Sequence, residues 1–310
     1  MAEADQDLTG KTVVLTGASS GIGAGAAPPP GGPRRPPPPR GGGRHPAPAG
    51  GGGAAARGAA RGATVAVVGR SPERTAEVAA AAGADHFLAD FARFDEVRKL
   101  ADQLLDRYPR IDVLANNAGA SWPKRTATVD GNELTFQVNH LSPFLLTSLL
   151  LDRLVQSSAR VINTSSMTYR MARLDLDKVN ATSGSFNQMG AYAASKLANL
   201  LFTRELARRT EGTGLRTAAF HPGAVATHVY DNAPLGLGAL IRSPLSRPFF
   251  IRPEKGAEPL EHLATTAEFG SGDYFHRFKL ERPSNKQAVD AVLAQQLWEL
   301  SERVTGAAKA

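Results

Sequence analysis

The chain has 310 residues, 42% of them hydrophobic, which suits one large α/β domain spanning residues 1–310. It contains no cysteine, so disulfides, thiolate metal sites and cysteine nucleophiles are excluded, and we expect no metal centre. The N-terminus has no secretory pattern, and the longest apolar stretch, 141–155, is too short and too polar to span a bilayer. We therefore expect a cytoplasmic protein.

The net charge of +7 is concentrated in residues 28–53, which contain four arginines and no acid. This Pro/Gly/Arg-rich segment has no aliphatic side chain larger than alanine, so it predicts a disordered or polyproline-like insertion. It separates two alanine-rich pieces of a predicted first helix, Ala24–Ala27 and Ala54–Arg61. The segment is a translated sequence error, a tolerated loop, or a basic arm that binds a partner. We favour an error and expect no nucleic-acid partner, because the segment has no aromatic side chain for base stacking.

Elsewhere, short apolar runs alternate with helical segments. The runs predict strands at Lys11–Thr16, Thr64–Val68, His86–Ala89, Ile111–Ala115, Arg160–Asn163 and Leu215–Phe220. Helices are predicted at 71–82, 94–108, about 132–155 and 190–209. Ser71 and Pro72 mark the start of the first of these helices, and Gly83 marks its end. The alternation predicts an α/β fold, a doubly wound parallel sheet with helices on both faces (Rossmann fold).

A glycine-rich turn directly follows the first strand, with the sequence Thr16-Gly17-Ala18-Ser19-Ser20-Gly21-Ile22-Gly23. Glycines in such a turn let the backbone approach a pyrophosphate, and the amides that open the next helix face the phosphates. A tight turn without any ligand would have similar glycines. The turn therefore indicates a dinucleotide site only in combination with other motifs.

Tyr192 and Lys196 are four residues apart, so a helix over 190–209 places both on one face. A phenol ordinarily titrates near pH 10, and a neighbouring ammonium favours the phenolate. The pair is therefore suited to exchanging a proton near neutral pH. Taken alone, it could equally be an incidental pair on an exposed helix.

Four motifs occur in order along the chain: the glycine turn, Asn116-Asn117-Ala118-Gly119, Ser165-Ser166, and Tyr192 with Lys196. Together they resemble the short-chain dehydrogenase/reductase family. The stretches GAYAASKLANLLFTRELARR (190–209), EGTGLRTAAFHPG (211–223) and SGDYF (271–275) resemble its retinol-dehydrogenase-like branch. The resemblance covers nearly the whole chain except 28–53.

The resemblance implies a catalytic set and a cofactor site. Tyr192 would be the acid/base, Lys196 would lower its pKa and bind the nicotinamide ribose, and Ser166 would hold the substrate oxygen. Asn139 would position a water behind Lys196. The implied cofactor-binding residues are Gly17, Ser19, Ser20, Gly21, Ile22, Gly23, Arg70, Asp90, Phe91, Asn117, Ala118, Gly119, Tyr192, Lys196, Pro222, Gly223, Val225 and Thr227.

The residue after the second strand bears on nucleotide preference. This strand ends at Gly69-Arg70, without the acid that would accept a hydrogen bond from a ribose 2′-hydroxyl. A guanidinium suits a 2′-phosphate, so we expect NADP(H) as the preferred cofactor and NAD(H) as the alternative. Arg70 could instead be a solvated charge or stack on adenine. Asp90 matches the family acid that contacts the adenine amine, or it could cap the helix that follows.

Residues 228–252 fall where the family places its variable substrate lid, and their apolar side chains favour a lipophilic substrate. A surface helix pair packed on the core would look similar. The sequence shows no membrane anchor, which argues against a retinoid substrate. We expect His221 to be structural, because Tyr192 already supplies the proton. The resemblance also implies pairing of subunits through the helices at 132–155 and 190–209, and hence a homo-oligomer.

The sequence thus predicts an oxidoreductase that transfers a hydride between NADP(H) and a small carbonyl or alcohol substrate. One alternative is a non-catalytic NADP(H)-binding or redox-sensing module, for which the interrupted first helix is the argument. The other is a basic interaction protein that acts through residues 28–53.

Overall fold

The computed structural model describes residues 8–18, 55, 58–59, 61–223, 253–265 and 269–307. In these ranges the chain forms one sheet of eight strands: β1 (Thr12–Thr16), β2 (Thr64–Gly69), β3 (Asp85–Leu88), β4 (Val113–Asn116), β5 (Arg160–Thr164), β6 (Arg216–His221), β7 (Asp273–His276) and β8 (Lys279–Leu280). The spatial order is β3-β2-β1-β4-β5-β6-β7-β8. All neighbours are parallel except β8, which is antiparallel to β7.

Helices cover both faces of the sheet. They are α1 (Pro72–Ala82), α2 (Phe94–Arg107), α3 (Leu134–Phe136), α4 (Ser142–Leu149), α5 (Leu151–Gln156), α6 (Gln188–Arg209), α7 (Pro253–Thr265) and α8 (Ala291–Thr305). A π-helical turn (Gln137–Leu141) joins α3 to α4, and 3₁₀ helices occupy Met167–Met171 and Lys286–Val289. One buried apolar cluster packs α2, α4, α6 and α8 on one face, and a second packs α1 and α7 on the other. The predicted doubly wound parallel sheet is confirmed.

The local signals for α1 are confirmed. Ser71 precedes the helix, its hydroxyl accepts a hydrogen bond from the Arg74 amide (3.5 Å), and Pro72 occupies the first turn. Gly83 ends the helix with φ 63°, a left-handed conformation that glycine adopts at little cost. The six predicted strands are all present, with ends that differ by one or two residues, as strand and helix ends commonly do.

The predicted helix over 132–155 is not continuous. It divides into α3, the π-helical turn, α4 and α5. Pro143 supplies the physical reason, because it lacks an amide hydrogen and its ring would collide with the carbonyl of Asn139 four residues earlier. The π-helical turn immediately before it widens the backbone and removes that collision.

Several predictions lie outside the described residues. These are the glycine turn beyond Ala18, the insertion 28–53, the helix piece Ala24–Ala27 and the lid 228–252. Of the second helix piece, residues 55, 58 and 59 are described, and all three are helical. No helix in the described ranges combines the length and apolarity needed to cross a membrane.

Asp112 fastens the amino ends of the two central strands. Its carboxylate accepts hydrogen bonds from the Thr12 amide (3.0 Å), Lys11 (3.2 Å) and Arg110 (2.7 Å). Burial alone would raise the pKa of this carboxyl, but the three donors outweigh it and hold the pKa below its ordinary value. A lowered pKa stabilises the fold above the pH at which the unfolded carboxyl titrates, and this contribution is lost as the pH falls through the folded pKa.

We therefore expect Asp112→Asn to lower the free energy of unfolding by about 1–2 kcal/mol near neutral pH, discounted for the half-exposed cations. The difference from wild type should shrink below about pH 4. Urea unfolding at both pH values measures it. Asp102→Asn, on the exposed side of α2, is the matched control. A loss that does not depend on pH would mean that the charge of Asp112 contributes nothing.

Candidate active site

Thr16 joins the carboxyl ends of β1 and β4. Its hydroxyl donates to the Ala115 carbonyl (3.1 Å) and accepts from the amides of Asn117 (3.0 Å) and Ala118 (3.1 Å). Gly17 follows with φ 70°, and a Cβ there would lie 2.7 Å from the Ala118 Cα, so the turn requires glycine. The strand order reverses between these two strands, which is where doubly wound sheets bind ligands.

Two asparagines bind the central strands to the helices behind them. Asn116 donates to Thr147 and to Asn163 (both 3.0 Å), and Asn163 in turn donates to Thr203 on α6 (2.9 Å). Asn117 donates to the Thr16 carbonyl (3.1 Å) and accepts from Thr164 (3.2 Å). These buried bonds fix the edge of the sheet on which the predicted site residues lie.

Asn139 connects the loop after β4 to α6. Its side chain accepts from the Ala120 amide and donates to the Ala120 carbonyl, both at 2.9 Å, and it also donates to Ser195 (3.0 Å). The Ser195 hydroxyl donates to the Tyr192 carbonyl (2.7 Å). Asn139 thus holds the backbone of the loop that carries Gly119 against the helix turn that begins at Tyr192.

Lys196 is a buried cation beside this junction, with 3% of its surface exposed. Its Nζ donates to the Thr164 carbonyl (3.1 Å) and lies 5.5 Å from the centroid of the Tyr192 ring. A Cβ on Gly119 would lie 3.1 Å from this Nζ and 3.2 Å from Asn139 Oδ1, so glycine is what lets the three groups meet. Burial lowers the pKa of the Lys196 ammonium to about 8.

The two serines after β5 have different surroundings. Ser165 is buried, and its hydroxyl donates to the Lys196 carbonyl (2.9 Å). Ser166 is half-buried and precedes the 3₁₀ helix, where its hydroxyl accepts a long hydrogen bond from the Thr168 amide (3.4 Å). That 3₁₀ helix packs against α6, which carries Tyr192. The structure therefore gives the first serine a packing role and leaves the second at the edge of the site.

Arg70 and Asp90 lie at the carboxyl ends of β2 and β3. Arg70 is exposed, directly after β2. The Asp90 carboxylate accepts from the Ala92 amide (3.0 Å), and the suggestion that it caps the next helix is wrong. Residue Arg93 occupies the cap position, and Asp130 accepts the hydrogen bond from the first amide of α2 instead (2.9 Å).

Phe91 follows Asp90 but points its ring into the core. Only 6% of it is exposed, and its carbonyl accepts a hydrogen bond from Ser142 (2.6 Å). The ring therefore packs against α4, and only backbone atoms of Phe91 remain for a cofactor.

The segment after β6 closes the described part of the site. Pro222 is buried, and Gly223 has φ 100°, a conformation that favours glycine. The Gly223 amide donates to Nδ1 of the buried His221 (3.4 Å). The remaining predicted cofactor residues, Ser19, Ser20, Gly21, Ile22, Gly23, Val225 and Thr227, lie outside the described ranges.

The structure adds residues that the motifs did not indicate. Thr164 ends β5, and the last residue of a central parallel strand is a signal that could have found it. Thr16 opens the glycine-turn motif, and the structure adds its role as the link between β1 and β4. Arg170, Glu281 and His276 form a chain of polar contacts, and the His276 ring stacks on His221. No local pattern could have found that chain, because the β7–β8 reversal and the 3₁₀ helix are distant in sequence.

Comparisons with known proteins agree with this architecture. The family model described as short chain dehydrogenase matches residues 49–235. The chain is 40% identical over 308 residues to the protein named daunorubicin C-13 ketoreductase DnrU of Streptomyces sp. strain C5, covering 96% of this chain and 94% of that one. It is 37% identical over 223 residues to human retinol dehydrogenase 13, covering 70% and 67%.

Among solved structures, the Pseudomonas aeruginosa RhlG/NADP active-site complex superposes with a TM-score of 0.62. It is 25% identical and covers 93% of this chain and 98% of its own. The chain belongs to the short-chain dehydrogenase/reductase family of oxidoreductases. The retinol dehydrogenases among its relatives agree with the branch that the sequence motifs indicate.

The buried charge of Lys196 affects the free energy of unfolding. Its folded pKa of about 8 lies below the ordinary 10.5, so the unfolded chain binds the proton more tightly, and the charge opposes folding below about pH 8. We expect Lys196→Met to raise the free energy of unfolding by about 1–3 kcal/mol near pH 7. The Thr164 carbonyl keeps a donor in this variant, because Asn199 also donates to it (3.3 Å).

The gain should shrink as the pH rises from about 8 towards 10.5, where the unfolded lysine also loses its proton. Denaturant unfolding of the cofactor-free chain across this pH range measures it. Lys99→Met, at a 72% exposed side chain on α2, is the control and should show no such trend. A Lys196→Met variant that is less stable at every pH would contradict the expectation.

Proposed function

We propose that this protein is an NADP(H)-dependent carbonyl reductase or alcohol dehydrogenase in which Tyr192 is the general acid/base. The observation that carries the proposal is the arrangement of Lys196 and Tyr192 on α6, with a buried ammonium 5.5 Å from the centroid of the Tyr192 ring. Ser166 immediately precedes the 3₁₀ helix that packs against α6. A cation held this close to a phenol favours the phenolate and so prepares Tyr192 to exchange a proton near neutral pH.

The described residues fit a nicotinamide dinucleotide. A Cβ on Gly17 would collide with the Ala118 backbone, and one on Gly119 would crowd Lys196 and Asn139, so backbone lines the edge where β1 and β4 end. The Lys196 ammonium has three donors, and the Thr164 carbonyl takes one of them, which leaves capacity for ribose hydroxyls. Arg70 offers a guanidinium at the end of β2, suited to a 2′-phosphate.

When bound, the nicotinamide supplies or accepts the hydride at the substrate carbon. In the direction of reduction, Tyr192 donates its phenolic proton to the carbonyl oxygen, and Ser166 donates a hydrogen bond to that oxygen. Lys196 stabilises the phenolate that results. Asn139 keeps the loop at Gly119 in place, so that Lys196 faces Tyr192 rather than solvent. In oxidation the same residues act in reverse, with Tyr192 as the base.

The substrate we propose is a lipophilic ketone, aldehyde or alcohol. The names of two relatives refer to the C-13 ketone of daunorubicin and to retinol, which are molecules with large ring systems or apolar chains. Near the site, Met167 and Met189 are 39% and 48% exposed, and each adjoins a proposed catalytic residue in sequence or on the helix face. Flexible, polarisable methionine side chains suit varied apolar surfaces.

We expect Tyr192→Phe to reduce kcat by about 10²–10⁴-fold, because the proton donor is lost, while the Kd for NADPH changes little. NADPH oxidation with daunorubicin and with all-trans-retinal measures turnover. Tyr108→Phe removes the hydroxyl that bonds Asp85 (2.7 Å), away from the site, and is the control. Wild-type chain that binds NADPH but turns over no carbonyl compound in a broad panel would favour the non-catalytic redox-sensing module instead.

We expect Arg70→Ser to raise the Kd for NADPH about 10–100-fold, because a charge-assisted pair with the 2′-phosphate contributes about 1.5–3 kcal/mol. The Kd for NADH should change little, since that nucleotide lacks the phosphate. Parallel fluorescence titrations measure both constants. Arg204→Ser, an exposed arginine towards the amino edge of β7, is the control.

Equal loss of both nucleotides would mean that Arg70 contacts adenine, and no loss of either would make it a solvated charge. The same titrations on a chain lacking residues 28–53 test the insertion. Binding that appears only after the deletion would assign the insertion a disruptive effect on the first helix. Binding that is the same with and without it would make the insertion a tolerated loop.

A further inference from the structure

His221 has a buried ring nitrogen without a hydrogen-bond partner. The residue ends β6 and is 2% exposed. Its Nδ1 accepts from the Gly223 amide (3.4 Å), whereas no hydrogen bond joins its Nε2 to any residue that the structure describes. Because Nδ1 accepts, a neutral ring carries its hydrogen on Nε2. Burial, together with nearby His276 and Arg170, lowers the pKa of His221 to about 3, so the ring is neutral.

A buried N–H group without an acceptor costs about 1–3 kcal/mol. Nε2 of His221 is one of eight buried side-chain polar atoms without a partner among the described residues, and its position in the fold is what distinguishes it. Side chains alternate along a strand, so His221 lies on the same face as Ala219. Ala219 packs in the cluster that contains Leu197 and Leu201 of α6. The unmet donor therefore lies on the α6 face, at the carboxyl edge, where Tyr192 and Lys196 also lie.

His276 on β7 and the residues that follow it restrict the His221 ring. It stacks on His276, with centroids 5.1 Å apart and planes 28° apart. His276 contacts Glu281 (3.3 Å), and Glu281 forms an ion pair with Arg170 (2.6 Å) on the 3₁₀ helix that follows Ser166. The Arg277 amide also donates to the His221 carbonyl (2.8 Å). These contacts restrict the orientation of the His221 ring and leave Nε2 as its unpaired polar atom.

We propose that the His221 Nε2–H donates a hydrogen bond to a carbonyl oxygen of a molecule bound in this site. The oxygen belongs either to the carboxamide of the nicotinamide or to the ketone of the substrate. The inference rests on the proposed function and goes beyond it, because it assigns a ligand contact to a residue that the chemistry of proton transfer does not require.

Three substitutions in the full chain test the contact. His221→Gln places an amide N–H near the position of Nε2, His221→Asn places one near Nδ1, and His221→Phe keeps a ring for His276 but has no polar atom. Fluorescence titration gives the Kd for NADPH, steady-state kinetics give the KM for daunorubicin, and thermal unfolding of the cofactor-free chain reports packing. His86→Asn, at an exposed histidine on β3, is the matched control.

We expect the Asn and Phe variants to weaken binding about 3–10-fold, the effect of one hydrogen bond, and the Gln variant to recover most of it. A rise in the Kd for NADPH assigns the oxygen to the cofactor, and a rise in KM alone assigns it to the substrate. The Phe variant should unfold at the same or a higher temperature without cofactor, because it removes an unpaired buried donor.

Unchanged Kd and KM in all three variants would overturn the proposal and leave the proposed function intact. A lower unfolding temperature in all three variants, with no recovery of binding in the Gln variant, would also overturn the proposal. That outcome makes His221 a packing residue. Wild-type chain that binds neither NADPH nor NADH would overturn the proposed function, and this contact with it.

Discussion

Taking a lysine ammonium out of water costs several kcal/mol, and Lys196 is buried in a fold that has to supply that energy elsewhere. The compensation is visible in its surroundings. The Thr164 carbonyl accepts from the ammonium, Gly119 leaves room for it, and the Asn139 side chain holds Gly119's loop in place. The end of β5, the loop at Gly119 and helix α6 thus all lie next to the Lys196 ammonium.

Buried polar groups beside Lys196 hold the neighbouring strands and α6 in place. Asn116, Asn163 and Thr203 tie β4 and β5 to α6 through hydrogen bonds of 2.9–3.0 Å. Apolar side chains would also hold these elements together, but apolar contacts have no preferred direction. Directional bonds fix the register between the strand ends and α6, and the position of Tyr192 relative to Ser166 depends on that register.

The sequence predicted the elements whose signals are local. Alternating β-branched runs gave the strands, and the Ser71 and Gly83 caps gave α1. It did not predict the break at the π-helical turn, because the apolar run around Pro143 fits a continuous helix and the wider turn that accommodates a mid-helix proline has no sequence pattern of its own. Helix α8 was also missed, although it carries local signals: Asp290 and Gly306 cap it, and its apolar side chains pack in one cluster with those of α6. For the site, the motifs indicated the side chains. Their partners are mostly backbone carbonyls and amides brought from distant strands, which no spacing rule encodes.

The π-helical turn at Gln137–Leu141 has a consequence for how this segment tolerates change. Such a turn contains one residue more than the α-helical turn it replaces, which rotates everything before it by roughly 100° relative to everything after it. Deleting one residue here would return the turn to α-helical pitch and bring the Pro143 ring back against the carbonyl four residues earlier. It would also swing Asn139 away from the Ala120 backbone. The extra residue therefore serves two purposes at once, the accommodation of Pro143 and the placement of Asn139, and a change of length at this point alters both together.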